Sequence, residues 1–189
     1  MANMLNCIED VASWLNDICK GIELKKPTDK QGNYKLANPV VFSMFMPLQQ
    51  VGENNTVQCP SATVQLYDSI DNLKEHTGNL TIIIHTAIWS PGTHKAEIQI
   101  ENDSDLPYIR NSEGWKDAVT FCDFIIEELK KAGDINGHRI LYENGIKCYP
   151  YKEQNTIIDF YPYFYMDIEF TIEKCFATQP KPYNNFLYD

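Results

Sequence analysis

The apolar residues of this chain change period several times, and each change marks an element. Leu5, Ile8, Val11, Ala12, Leu15, Ile18, Cys19 and Ile22 recur every three or four residues, which predicts an amphipathic helix over residues 4–20, closed by Gly21. From residue 23 to 38 the pattern is lost to charge, Pro27, Asp29, Gly32 and Asn33, the signature of a surface connection. Pro39 then introduces the β-branched and aromatic run Val40 to Met46, and the polar stretch from Gln49 to Gln58 separates it from a second strand near Ala62 to Tyr67, its neighbour in a sheet. Between Thr81 and Trp89 both parities are apolar: Ile82, Ile84 and Ile88 on one, Ile83, Ala87 and Trp89 on the other. A strand with two buried faces belongs in the middle of a sheet.

An irregular stretch from Ser90 to Asn111 follows, and then Trp115, Ala118, Val119, Phe121, Cys122, Ile125, Ile126 and Leu129 restore the helical period, with Asn111 or Ser112 to cap the start and Gly133 to close the end. Between Gly137 and Tyr151, the turn residues Glu143, Asn144 and Gly145 predict a hairpin. The last element alternates strictly: Phe164, Met166, Ile168, Phe170 and Ile172 against Tyr163, Tyr165, Asp167, Glu169, Thr171 and Glu173, so one face is expected in the core and the other in water. Together these elements predict an α+β fold, a mixed, mainly antiparallel sheet of about five strands packed by two amphipathic helices. Residues 1–175 read as a single domain, and 176–189 as a C-terminal tail or arm whose Tyr183, Phe186 and Tyr188 suit anchoring on a neighbouring chain.

Composition narrows the function classes. The 26 acidic residues against 16 basic give a formal charge of −10, which opposes a stable grip on a phosphate backbone. The longest apolar run, Leu80 to Trp89, is interrupted by Thr81, His85 and Thr86 and falls well short of the roughly 20 residues a membrane-spanning helix needs. The polar N-terminus carries no export signal, so residence in cytosol is the expectation, and six singly placed cysteines read there as small buried hydrophobes.

Candidate chemistry is sparse. His85 and His94 flank Trp89, and Glu97 lies close by, a grouping that a ligand-binding or enzymatic site could use if the chain folded back on itself; the spacing matches no metal pattern, and the plain reading is structural. His76 and His138 fall in polar turns. There is no phosphate-binding glycine loop, nucleophile elbow or H-E-x-x-H helix, so no catalytic, cofactor or metal residues are assigned, and the chain reads as a non-enzyme. The Tyr-rich run Cys148 to Tyr151 and Phe160 to Tyr165 reads as core and strand-edge aromatics or, more sharply, as a subunit interface, because tyrosine joins large contact area to a polar end. A partner for a cytosolic interaction module would dock there too.

Several segments stand in a telling order: Asn38-Pro39-Val40-Val41-Phe42-Ser43-Met44, Pro60 to Leu66, Trp89-Ser90-Pro91-Gly92-Thr93-His94, Gly114-Trp115-Lys116-Asp117, and Lys152-Glu153-Gln154 followed by Asp159-Phe160-Tyr161-Pro162-Tyr163. Over nearly the whole chain this order resembles the tail-terminator, or tail-completion and head–tail joining, proteins of phages and prophages of Firmicutes. The resemblance implies a non-enzymatic structural protein without cofactor. It would form a ring of its own copies, hexameric by that likeness, at the head-proximal end of the tail, ending tube polymerisation. The implied partners are the tail tube protein and the head connector protein, with DNA passing through the lumen without specific binding and no membrane. Assembly would take place in host cytoplasm, with the virion tail as destination. The interface residues it suggests are Tyr161, Tyr163, Tyr165, Asp167 and Glu169, with Tyr183, Phe186 and Tyr188 of the arm.

Overall fold

A computed structural model of the chain describes residues 4–28, 33–46, 49–51, 54–56, 58–72, 77–94, 108–109, 111–154, 156–157 and 160–175. In chain order, helix α1 (Met4–Cys19) leads to the hairpin β1 (Leu24–Pro27) and β2 (Tyr34–Ala37), then β3 (Val40–Ser43) and the short pair β4 (Gln49–Val51) and β5 (Asn54–Thr56). The long strands β6 (Ser61–Asn72) and β7 (Thr77–Trp89) come next, followed by the two-residue strands β8 (Thr93–His94) and β9 (Tyr108–Ile109) and helix α2 (Glu113–Ala132). The remainder is β10 (Asp134–Ile135), β11 (His138–Arg139), a 3-10 turn (Tyr142–Asn144), β12 (Lys147–Pro150), β13 (Lys152–Glu153), β14 (Thr156–Ile157) and β15 (Tyr163–Cys175).

Five strands make the main sheet in the order β12-β15-β7-β6-β3, so the fold is α+β as the periods predict, with β7 at the centre. Only the β3–β6 pair is parallel; the rest run antiparallel. β7 and β15 are matched along their whole length, from Tyr163 opposite Trp89 to Cys175 opposite Thr77. Both helices lie on one face. There Cys7, Ile8, Val11 and Leu15 of α1 and Ala118, Phe121, Ile125 and Leu129 of α2 meet Ile82, Ile84 and Ile88 of β7 and Phe164, Ile168, Phe170 and Ile172 of β15 in one buried cluster. Each large side chain fully buried there contributes roughly 1.5–3 kcal/mol of transfer free energy.

Local details explain the element ends. The Asn111 carboxamide oxygen accepts from the Glu113 backbone N–H at 3.0 Å, doing at the start of α2 what Ser112 does not do with its own side chain. Gly133, with φ at 71°, closes the other end. Gly114 is required on steric grounds, because a Cβ there would sit 1.9 Å from the Phe164 ring, and its absence lets α2 settle on β15. Gly78 likewise leaves room for the bridge between Lys174 and Asp71, 2.7 Å long, which partners a lysine buried to 3% exposure.

Three expectations change. Residues 23–38 are no plain connection: β1 and β2 pair there, and Lys25 crosses to Asp117 of α2 at 2.8 Å. The predicted hairpin turn at Glu143, Asn144 and Gly145 is instead the 3-10 turn, while the actual tight hairpin joins β10 to β11 through Asn136 and Gly137, both at positive φ. Asn-Gly with two positive φ values matches the twist of paired strands, a signal that the sequence carries at Asn136-Gly137. The outer face of β15 is not simply wet, for Asp167 and Thr171 are only 6% and 7% exposed. Thr171 faces Thr81 of β7 at 3.4 Å, and Asp167 lies against His85 in a cavity that Tyr151 and Phe160 also line. The expected arm, with Tyr183, Phe186 and Tyr188, lies outside the described residues, as do His76 and Glu97.

Candidate functional site

The sheet face away from the helices carries the side chains of most chemical interest. Because β7 and β15 are in register, the odd residues align as Trp89 with Tyr163, Ala87 with Tyr165, His85 with Asp167 and Ile83 with Glu169. At one end Cys59, Ala87 and Trp89 are buried with Met46, Tyr163 and Tyr165 packed against them, a second small apolar cluster. Next along the face, His85 Nδ1 lies 2.7 Å from Asp167 Oδ1 and its Nε2 lies 3.1 Å from Gln65 Oε1. Gln65 is oriented by its own amide nitrogen, which donates to the Met44 carbonyl at 2.6 Å, so its oxygen must face the imidazole. The two ring nitrogens thus face side-chain oxygens of two different strands, Asp167 of β15 and Gln65 of β6. The chain from Met44 through Gln65 and His85 to Asp167 ties β6, β7 and β15 to the residue following β3.

Beside this network opens a cavity of about 310 Å³ lined by His85, Thr86, Tyr151, Phe160, Tyr165 and Asp167. Its aromatic wall is set edge to face: the Phe160 and Tyr165 centroids are 5.5 Å apart with planes at 81°, and Tyr151 stands 6.2 Å from Phe160. Burial, helped by Cys59 and Tyr163, pushes the Tyr165 phenol up to about 12. Farther along, burial and then the Glu169 and Asp167 carboxylates push Tyr149 up to about 12. Tyr149 also donates to Glu169 at 3.3 Å, and Lys147 pairs with the same carboxylate. These phenols stay protonated and act as hydrogen-bond donors at neutral pH.

The structure thus brings together Tyr163, Tyr165, Asp167 and Glu169 of the sequence-derived interface set on one face, while Tyr161 turns its hydroxyl to the Pro91 carbonyl. Of the histidine group, His85 shares its cavity with Asp167 and aromatic rings, and Trp89 is buried in the neighbouring apolar cluster. The His94 backbone pairs with Tyr108 in β8–β9, and its side chain is outside the described residues. Sequence reasoning misses Gln65 and the His85–Asp167 pairing because the partner is 82 residues distant; strand parity, applied to the two longest strands together, carries that signal.

A second polar group joins α1 to the β10–β11 hairpin. His138, a turn residue by its sequence surroundings, is 7% exposed, with Nε2 at 3.0 Å from Asp10 and Nδ1 at 3.9 Å from the Cys7 sulfur. The order thiol, imidazole, carboxylate resembles that of a nucleophilic relay, but Cys7 is fully buried and burial, then Asp10, raises its pKa, so the thiol is inert and the group pins the hairpin to the helix. Among the described residues no group of three or more His, Cys, Asp or Glu side chains is placed to hold a metal ion, and no helix is long and apolar enough to cross a membrane. No protein-family model matches the chain, and no curated protein matches its sequence.

Proposed function

We propose that the chain is a structural virion protein, a tail terminator that assembles as a ring at the head-proximal end of a phage tail, stops the tube and receives the head connector. The observation that carries this reading is the tyrosine-lined face of the sheet turned away from α1 and α2. Tyr149, Tyr163 and Tyr165 stand on it half-buried, Tyr67 is 63% exposed at the bulge of β6, and Phe45 and Phe160 are exposed beside it. Large rings with polar ends, held by a rigid sheet, suit a contact with a second copy. A ring contact is head-to-tail, so this face must meet a different surface of the next copy, and exposed apolar side chains on the helix side, Leu5 of α1 and Val119 of α2, offer one. The order of segments along the chain supplies the phage context, and the charge of −10 suits a lumen that DNA passes without sticking.

Light scattering and electron microscopy over a concentration series, with and without the tail tube protein of the same gene cluster, test the reading. Ring-sized species are expected at high concentration or with tube protein, and Tyr165→Ala with Tyr67→Ala should suppress them while the thermal melt persists. A chain that stays monomeric in both conditions, or a gene that lies in a metabolic operon away from tail and connector genes, overturns it. The aromatic cavity beside His85 favours a second reading, a small-ligand site, since its volume falls at the lower end of the roughly 300–1,000 Å³ usual for such pockets. A fragment screen read by melting shifts, repeated on Tyr165→Ala, separates the two.

A further inference from the structure

The aromatic wall of the cavity beside His85 is held by backbone as well as by packing. Tyr151 stands immediately before β13, and its N–H donates to the Tyr165 carbonyl at 3.1 Å. Phe160 follows β14, and its carbonyl accepts from the Tyr163 N–H at 3.0 Å. Both ring-bearing flanks of the β13–β14 hairpin are thus tied to β15, the strand that carries the third ring, Tyr165. The planes of Phe160 and Tyr165 are inclined at 81° and those of Tyr151 and Phe160 at 44°, so the rings do not stack into one flat wall but face in different directions.

Asp167 lines the same cavity, with its side chain only 9% exposed. Its Oδ1 meets the His85 imidazole, and among the described residues no hydrogen bond or ion pair engages Oδ2. A carboxylate so far out of water, with half of its acceptor capacity unused, is stabilised by meeting a cation. A second carboxylate, Glu153, accepts from the Tyr151 hydroxyl at 3.3 Å. Aromatic faces also carry negative potential, so rings and carboxylates act with the same sign.

We propose that this cavity binds a small organic cation bearing a quaternary ammonium group, with the Tyr151, Phe160 and Tyr165 rings around its methyl groups and Asp167 as counter-charge. The assignment rests on the small-ligand reading of the cavity, not on ring assembly. The lining selects among cations. A hard metal ion demands about six to eight oxygen ligands, and a primary ammonium brings three N–H donors. Here the Thr86 hydroxyl already donates to the Met166 carbonyl at 3.0 Å, and what remains is chiefly ring carbon and one unengaged carboxylate oxygen. A quaternary ammonium has no donor to satisfy and presents its charge through methyl groups that pack on carbon, so it is the cation these walls desolvate at least cost.

The test is isothermal titration of the full chain at pH 8 with choline, with its primary-amine counterpart ethanolamine, and with 3,3-dimethylbutan-1-ol, the uncharged isostere in which carbon replaces nitrogen. Choline should bind at least about tenfold more tightly than either. Phe160→Leu keeps apolar bulk at an exposed position but removes the ring, and should weaken choline about fivefold while leaving the isostere unchanged. Asp167→Asn should weaken choline about tenfold with the same selectivity. Flotation with phosphatidylcholine vesicles separates a lipid headgroup from a free ligand, and binding that free choline displaces supports the assignment in either arm. An isostere that binds as tightly as choline overturns the cation and leaves a ligand cavity. No binding of choline or vesicles also overturns it, while the fragment screen judges the cavity itself. Choline binding that is unchanged in Phe160→Leu removes the cation from this cavity. The comparison of the three probes on wild-type protein decides even where Asp167→Asn fails to fold.

Discussion

The two faces of the main sheet are built on different principles. On the helix-covered face Ile82, Ile84, Ile88, Phe121, Phe170 and Ile172 are each at most 1% exposed, and the packing of apolar shapes sets the geometry. On the other face, position is fixed by named polar contacts: Asp167 to His85, His85 to Gln65, Gln65 to Met44, Lys147 and Tyr149 to Glu169. Stability should therefore reside in the first face, while specificity of contact belongs to the second, where half-exposed rings remain free to meet a partner. A uniform response to mutation on the two faces would break that division.

The largest effect is expected on the covered face. Phe121→Ala removes a fully buried ring from the layer between α2 and the sheet and should cost about 3–5 kcal/mol in chemical denaturation. Gly114→Ala comes next and acts by addition. Alanine is the better helix former by about 1 kcal/mol. The new Cβ, however, would lie 1.9 Å from a Phe164 ring that is 4% exposed and stacked edge to face on Trp115 at 5.3 Å. Overpacking outweighs propensity, and a net loss of about 2 kcal/mol is expected. A stabilised Gly114→Ala protein would show that α2 is less firmly seated than its contacts imply.

On the open face the comparable test is a double-mutant cycle between His85→Ala and Asp167→Ala. The two groups are 2.7 Å apart, but the His85 side chain is 36% exposed, so water replaces part of what each loses. A coupling of about 1 kcal/mol is expected, smaller than either effect on the covered face. Coupling indistinguishable from zero would mean that the polar chain reports only proximity.

The same contrast decides what can be read from sequence. Burial on the covered face leaves a period, so both helices, the central strand and the final strand are legible to within a few residues. Alternation also assigns Tyr163, Tyr165, Asp167 and Glu169 to a common face. What alternation cannot encode is whether that face is covered, and hence Asp167 reads as solvated although it is only 6% exposed, against His85 and beside the Tyr151 and Phe160 rings. Proximity in sequence points from His85 to His94, nine residues on, whereas hydrogen bonding across strands depends on register. The role of Gly114, leaving space for Phe164, exists only once the helix and the strand are packed.

The smallest expected effect sharpens the comparison through pH. Tyr149 and Tyr165, both on the open face, have phenols raised from 10.0 to about 12, chiefly by burial. The folded state holds their protons more tightly than the unfolded chain, so their contribution is fully present below about pH 10 and is lost as pH climbs toward about 12. The buried thiols Cys19 and Cys59, raised from 9.0 to about 12, add to the same alkaline decline from a lower starting point. Replacing both tyrosines by phenylalanine removes only the phenolic part. The double variant should therefore lose stability less steeply than wild type between about pH 10 and 12, while the two curves run parallel below about pH 9, where only the fixed cost of the lost hydroxyls separates them. Denaturant midpoints measured across that range, with tyrosinate absorbance to follow ionisation directly, make the comparison. Identical slopes would show that the open face hydrates its phenols freely, and the half-buried ring surface argued for this face would have to be given up.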